Sequence, residues 1–215
     1  MLIGSHCLGL DLIVGRLERE GLAVKALNVG SSGGVAAARR GECDLAGVHL
    51  LDPATRIYNR YLLAQGGLEL IGGYRRLQGV VFRPGDPRFA AATAVEALAG
   101  ALQDPDCLMI NRNAGSGTRI LIDQLLAGRH PQGFWTQAKS HNAVACAVAQ
   151  GRADWGVAIE PAARAYGLGF LPLQPEHYDF LVPTSRLSRR PVQRFMALLA
   201  DPAVRHELAA MGFEV

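Results

Sequence analysis

The sequence predicts an α/β protein in two lobes. Short apolar runs of strand character alternate with helix-spaced segments along the chain, and Gly/Ser turns stand at three strand-to-helix junctions. Two long extended stretches, around 77–83 and 178–184, supply crossings from one lobe to the other. Two crossings make the first lobe discontinuous. Residues 1–80 plus 184–215 are expected in lobe 1 and 81–183 in lobe 2.

The elements follow in order. Leu2-Ile3 reads as a strand, Gly4-Ser5-His6 as a turn, and Leu8 to Arg19 as a helix with Leu8, Leu12 and Leu17 on its apolar positions. Leu22 to Val29 reads as a strand, Gly30-Ser31-Ser32-Gly33-Gly34 as a turn, and Val35 to Ala38 as a short helix. Cys43 to Val48 is a predicted strand ending at His49, and Ala54 to Ala64 a predicted helix. The runs Leu68–Ile71 and Gly79–Phe82 read as separate strands broken by Tyr74-Arg75-Arg76. Pro84-Gly85-Asp86-Pro87 is a turn, and Ala90 to Leu102 an Ala-rich helix. After a strand at Cys107–Ile110 come helices predicted at 120–126 and 142–150, a strand at 154–159 and a helix to Tyr166. Strands at 169–173 and 178–182 precede helices at 191–200 and 202–211. Such alternation implies parallel sheets covered by helices, with ligands beyond the carboxyl ends of the strands.

The most informative stretch is Asn111-Arg112-Asn113-Ala114-Gly115-Ser116-Gly117-Thr118-Arg119, set between a strand and a helix. The first amides of a helix lack intrahelical partners and face the positive end of its dipole, so such a turn suits an anion. Ser116 can cap the helix, Gly115 and Gly117 admit a close ligand, and Thr118 adds a hydroxyl. Arg119 in the first turn opposes the dipole by about 0.3–1 kcal/mol, a penalty that a bound anion would remove. An ordinary capped helix with a solvated arginine is the alternative.

Composition narrows the classes. With 49% hydrophobic and 19% charged residues the chain is not disordered, and a net charge of +3 is too mild to argue for nucleic acid. The pairs Arg39-Arg40, Arg75-Arg76 and Arg189-Arg190 read as solvated faces. Cys7, Cys43, Cys107 and Cys146 lie far apart without metal spacing and read as buried reduced thiols of an intracellular protein. The start at Met1-Leu2-Ile3 shows no signal-peptide pattern, and no apolar run reaches the roughly 20 residues of a membrane helix. A cytoplasmic location is expected, and a start on the first core strand suggests attachment to something upstream.

Gly4-Ser5-His6, Val29 to Gly34, Gly47 to Pro53, Asn111-Arg112 with Gly115 to Arg119, and Tyr178-Asp179 before Val182-Pro183 occur in this order. Together they resemble the periplasmic-binding-protein-like domain found in the cytoplasm, related to molybdate- and tungstate-binding proteins. In that family the domain is joined to helix-turn-helix DNA-binding modules or to molybdopterin-biosynthesis enzymes. The resemblance implies a type II fold, one binding domain overall, whose two lobes have a ligand cleft between them and close on a small oxyanion, molybdate or tungstate. It carries no cofactor beyond that ligand, no direct nucleic-acid contact by this domain and no membrane contact. One departure is Cys7, where the family often has an acidic residue after Ser-His.

The candidate ligand-binding residues are Ser5, His6, Ser31, Ser32, Gly33, His49, Asn111, Arg112, Ser116, Gly117, Thr118, Arg119, His141 and Tyr178. Each has an ordinary structural use as well. The serines can cap helices, the histidines can be satisfied turn residues, Tyr178 can pack a hinge, and Arg112 can pair with a carboxylate. Catalysis is disfavoured. Lys25 and Lys139 follow no Gly-rich loop, Gly115-Ser116-Gly117 is no nucleophile elbow, and no paired carboxylates stand at strand ends. Two alternatives remain open: the co-inducer domain of a LysR-type regulator recognising a small organic acid, and a phosphate-substrate transferase of the same fold.

Overall fold

The computed structural model describes residues 1–90 and 93–215. In chain order it runs β1 (Leu2–Gly4), α1 (Leu8–Arg19), β2 (Ala26–Asn28), α2 (Gly30–Arg39), β3 (Ala46–Val48) and β4 (Leu68–Phe82). Then come α3 (Ala94–Ala101), β5 (Met109–Arg112), α4 (Gly117–Leu126), β6 (Gln137–Ala138) and α5 (His141–Ala149). The chain finishes with β7 (Trp155–Ile159), α6 (Glu160–Ala165), β8 (Gly169–Pro183), α7 (Arg190–Ala200) and α8 (Pro202–Ala210). It divides into two compact units, Met1–Arg75 with Glu176–Val215, and Arg76–Pro175. The divisions fall a few residues before the crossings suggested by the sequence, inside β4 and β8.

Both passing strands are longer than expected. β4 and β8 are each continuous over 15 residues, where the sequence suggested two short strands with a break. In β4 the supposed break is ordinary strand alternation with polar side chains turned inward: Tyr74, Arg76 and Gln78 are buried while Arg75 is exposed. Arg76 is therefore no solvated residue; it is 2% exposed. Arg39, Arg40, Arg75, Arg189 and Arg190 are exposed as expected.

In the first unit β1 pairs in parallel with β2, and Leu2 bridges Leu45 in parallel just before β3. β3 runs antiparallel to β8, with Ala46 opposite Leu181 and Val48 opposite Asp179. A core of Ile3, Val35, Ala38, Val48, Leu68 and Leu181 lies under α2. The Gly30–Gly34 run is not a turn but the first part of that helix. A Cβ on Gly34 would lie 2.7 Å from Gly4 Cα, so glycine there lets α2 approach β1. Gly30 takes φ +78°, which its lack of a Cβ permits.

The predicted helix at 54–64 is replaced by turns and a 3₁₀ segment, Arg60–Leu63. Arg56 and Asn59 hold left-handed φ values of 58° and 60°, which interrupt a helix. Asn59 is buried and does the work of a turn: its Oδ1 accepts from Leu50 N at 2.7 Å, and its Nδ2 donates to Asp179 Oδ2 at 2.7 Å. Asp52 starts a turn, accepting from Ala54 N at 3.0 Å.

In the second unit β4 pairs antiparallel with β7, while β7, β5 and β6 pair in parallel. The expectation of parallel sheets thus fails at both passing strands, β4 and β8. A strand that carries the chain out of a unit or back into it needs no covering helix to reverse its direction. Trp155, Met109, Phe89, Ile122 and Leu126 form the centre of this unit's core. α3 begins after a capping box in which Thr93 and Glu96 bond each other's backbone amides. Positions 91–92 of the helix expected from Ala90 lie outside the described residues.

Candidate functional site

In the first unit the ends of β1 and β3 meet through the backbone: Ser5 N donates to Gly47 O at 2.9 Å. Gly47 has no room for a side chain, because a Cβ there would lie 2.1 Å from the Tyr178 hydroxyl. That hydroxyl donates to the Ser5 carbonyl, and the Tyr178 ring stacks beside His49 at 6.0 Å. His49 Nε2 lies 2.9 Å from Ser5 Oγ, and its Nδ1 lies 2.6 Å from Glu176 Oε1. Its backbone N–H donates to Ser31 Oγ at 3.1 Å. Ser5, Ser31, His49, Glu176 and Tyr178 are all buried.

With Glu176 ionised, these contacts assign the hydrogens. An ionised carboxylate only accepts, so Nδ1 of His49 carries a hydrogen toward Glu176 and Nε2 faces the Ser5 hydroxyl. The result is a serine–histidine–carboxylate relay. The predicted residues Ser5, Ser31, His49 and Tyr178 come together in it. His6 does not join; it pairs with Asp11 at 2.8 Å. Ser32 is exposed and Gly33 half-buried, both in the first turns of α2.

Glu176 is the member that sequence reading missed. It sits in the presumed break between two strands, and only the continuous β8 puts it two residues before Tyr178 on the same strand face. An acidic residue two positions ahead of a candidate tyrosine was the available signal.

The second unit builds differently. β5 and β6 lie side by side in parallel and each leads into a capped helix, so the openings of α4 and α5 lie at one end of the sheet. Asn111 is used up locally, donating to Phe134 O at 3.0 Å and accepting from Arg112 N at 2.8 Å. Arg112 is buried, with Nε donating to Ala138 O at 3.3 Å and Nη1 3.1 Å from His141 Nδ1. Ser116 caps α4 as predicted, accepting from Arg119 N at 3.2 Å and donating to Asn113 O at 3.0 Å.

Among the described residues the amides of Gly117 and Thr118 make no hydrogen bond. The Thr118 hydroxyl is also buried and without a partner. Arg119 is anchored: Nε donates to Asp123 Oδ1 at 2.7 Å, Nη1 to Arg112 O at 3.2 Å, and the guanidinium lies 4.6 Å from the Phe134 ring centre. Asp123 thus supplies an anion that offsets the dipole cost of Arg119, and that cost by itself calls for no further ligand.

The cysteines are free thiols, with Cys7, Cys43 and Cys107 buried and Cys146 half-buried. Burial pushes the Cys107 thiol up to about 11 and raises that of Cys43, so neither offers a thiolate. Among the described residues no group of three or more His, Cys, Asp or Glu side chains could hold a metal ion. No helix among them is long and apolar enough to cross a membrane.

The fold is mixed α/β, with hydroxyls, buried imidazoles and open helix amides at its strand ends. The chain belongs to the PBP superfamily, whose domain model matches residues 14–200. It is 32% identical over 152 residues to YvgK of Bacillus subtilis (strain 168), a match covering 66% of this chain and 47% of that protein. The chain therefore spans about half the length of that relative. Among solved structures it is similar to an ABC-type phosphate transport receptor from Vibrio cholerae, with a TM-score of 0.65 and 14% identity. That likeness covers 100% of this chain and 98% of the receptor. It is also similar to the tungstate binding protein TupA from Desulfovibrio alaskensis G20, with a TM-score of 0.61 and 14% identity over 97% of this chain and 92% of TupA. These neighbours are binding and transport proteins.

Proposed function

We propose that this chain is a sensor or binding domain for a small tetrahedral oxyanion, with molybdate or tungstate as its ligand. The observation that carries the reading is the opening of α4: two unbonded helix amides and a buried, unpartnered Thr118 hydroxyl, held by the Ser116 cap. The first unit offers donors of its own kind, with Ser5 and Ser31 at the ends of β1 and the start of α2. Hydroxyls and helix amides suit the acceptor oxygens of an inorganic dianion.

The resemblance of the Asn111-Arg112 and Gly115 to Arg119 segments supports a further step. We place the domain in the cytoplasm, linked to molybdenum-dependent regulation or cofactor synthesis through a DNA-binding or molybdopterin-biosynthesis module. No cofactor is required for that role.

Native mass spectrometry and thermal melting with molybdate, tungstate, sulfate and phosphate test the ligand class. A ligand at 100 times its Kd stabilises the native state by about 2.7 kcal/mol, a clear rise in Tm. A shift with a small organic acid and none with any oxyanion would favour a co-inducer domain, and turnover of a phosphorylated substrate would favour a transferase.

A further inference from the structure

We propose that the Ser5–His49–Glu176 relay couples anion binding to proton uptake. A fully ionised dianion is held by Ser5 only when His49 gains a second ring proton, whereas an anion that brings its own hydroxyl needs none. This rests on the reading that the strand ends of the first unit receive an oxyanion.

The inference follows from counting hydrogens. Ser5 has one hydroxyl proton, and in the neutral ring Nε2 is a lone pair 2.9 Å away that takes it. Ser5 Oγ then shows only lone pairs to a newcomer. Molybdate, tungstate and sulfate present only acceptor oxygens, so acceptor would face acceptor. One proton from solvent placed on Nε2 reverses the chain: Nε2–H donates to Ser5 Oγ, and the Ser5 hydroxyl is released to donate to the anion. No heavy-atom bond changes.

The surroundings suit the charged ring. Glu176 on β8 lies 2.6 Å from Nδ1 and supplies the balancing carboxylate. Tyr178, also on β8, covers the ring and is backed by Tyr74 of β4 at 5.4 Å, while Ser31 of α2 bonds the His49 backbone. Hydrogen phosphate differs from the other anions because its own hydroxyl can donate to Ser5 while His49 stays neutral. The relay therefore distinguishes protonated from fully ionised tetrahedral anions.

Isothermal titration calorimetry of the whole chain at about pH 8, in buffers of different ionisation enthalpy, counts the protons directly. An ordinary imidazole has lost its second proton by that pH, and a repeat at about pH 9 covers a ring whose proton the Glu176 carboxylate holds more tightly. The expected uptake is about one proton per molybdate or sulfate and near zero for phosphate. Molybdate affinity should fall about tenfold per pH unit in this range. In His49→Gln the side-chain amide can donate to Ser5 at every pH, so molybdate should bind with no uptake and no pH dependence. Glu176→Gln should weaken molybdate at least tenfold and leave phosphate within a few-fold, an independent check should His49→Gln fail to fold. An enthalpy independent of buffer for wild type with molybdate, or uptake unchanged in His49→Gln, would overturn the relay. Silence with every anion would instead count against the oxyanion reading itself.

Discussion

The strand ends of the first unit are held by side chains from far along the chain, whereas the α4 cap of the second is held by its immediate neighbours. Ser5, His49 and Glu176 are separated by 44 and 127 positions, yet form one buried hydrogen-bonded line. The α4 opening draws on Asn113, Ser116, Arg119 and Asp123, all within one turn and one helix. Distant partners convert a hydroxyl into a group whose donor or acceptor role depends on another residue's proton. Local partners leave backbone amides whose role is fixed. The first arrangement suits discrimination, the second plain affinity for negative charge.

Substitutions should separate the two arrangements, first by stability. His49→Ala removes one partner of a buried pair, and the first unit should lose about 3 kcal/mol in chemical denaturation. A loss below about 1 kcal/mol would show that the relay is not a fold element and would break the contrast between units. Ser31→Ala leaves the buried His49 amide without its acceptor and should cost about 1–2 kcal/mol by the same measurement.

In the second unit the effects shrink. Ser116→Ala deletes the α4 cap, for about 1 kcal/mol of stability and a weakened grip on molybdate. Arg119→Ala gives up a half-exposed ion pair and a ring contact but also the unfavourable dipole term, so the net change should stay under about 1 kcal/mol. A larger loss with unchanged molybdate affinity would make Arg119 a fold residue alone. Smallest in stability is Thr118→Val, which removes an unpartnered hydroxyl at constant shape. The ligand-free Tm should hold or rise slightly while molybdate affinity falls about tenfold. An unchanged affinity would take Thr118 out of the site.

The sequence by itself determined the α/β class, the helices α1, α4, α7 and α8, and the Ser116 cap, because periodicity and capping act within a few residues. It also singled out Ser5, Ser31 and His49, since each stands at a strand end or helix start, and Tyr178 through the family resemblance. Tertiary structure decided what local pattern cannot carry. It made the Gly30–Gly34 run helical, because Gly34 is needed for close packing on β1. It replaced the 54–64 helix with turns built on the buried Asn59 side chain. It ran β4 unbroken through Arg75-Arg76, where inward-facing polar residues hide the apolar alternation that marks a strand. Glu176 entered the relay in the same way, since a hydrogen bond between residues 127 positions apart exists only once the sheet has set their register.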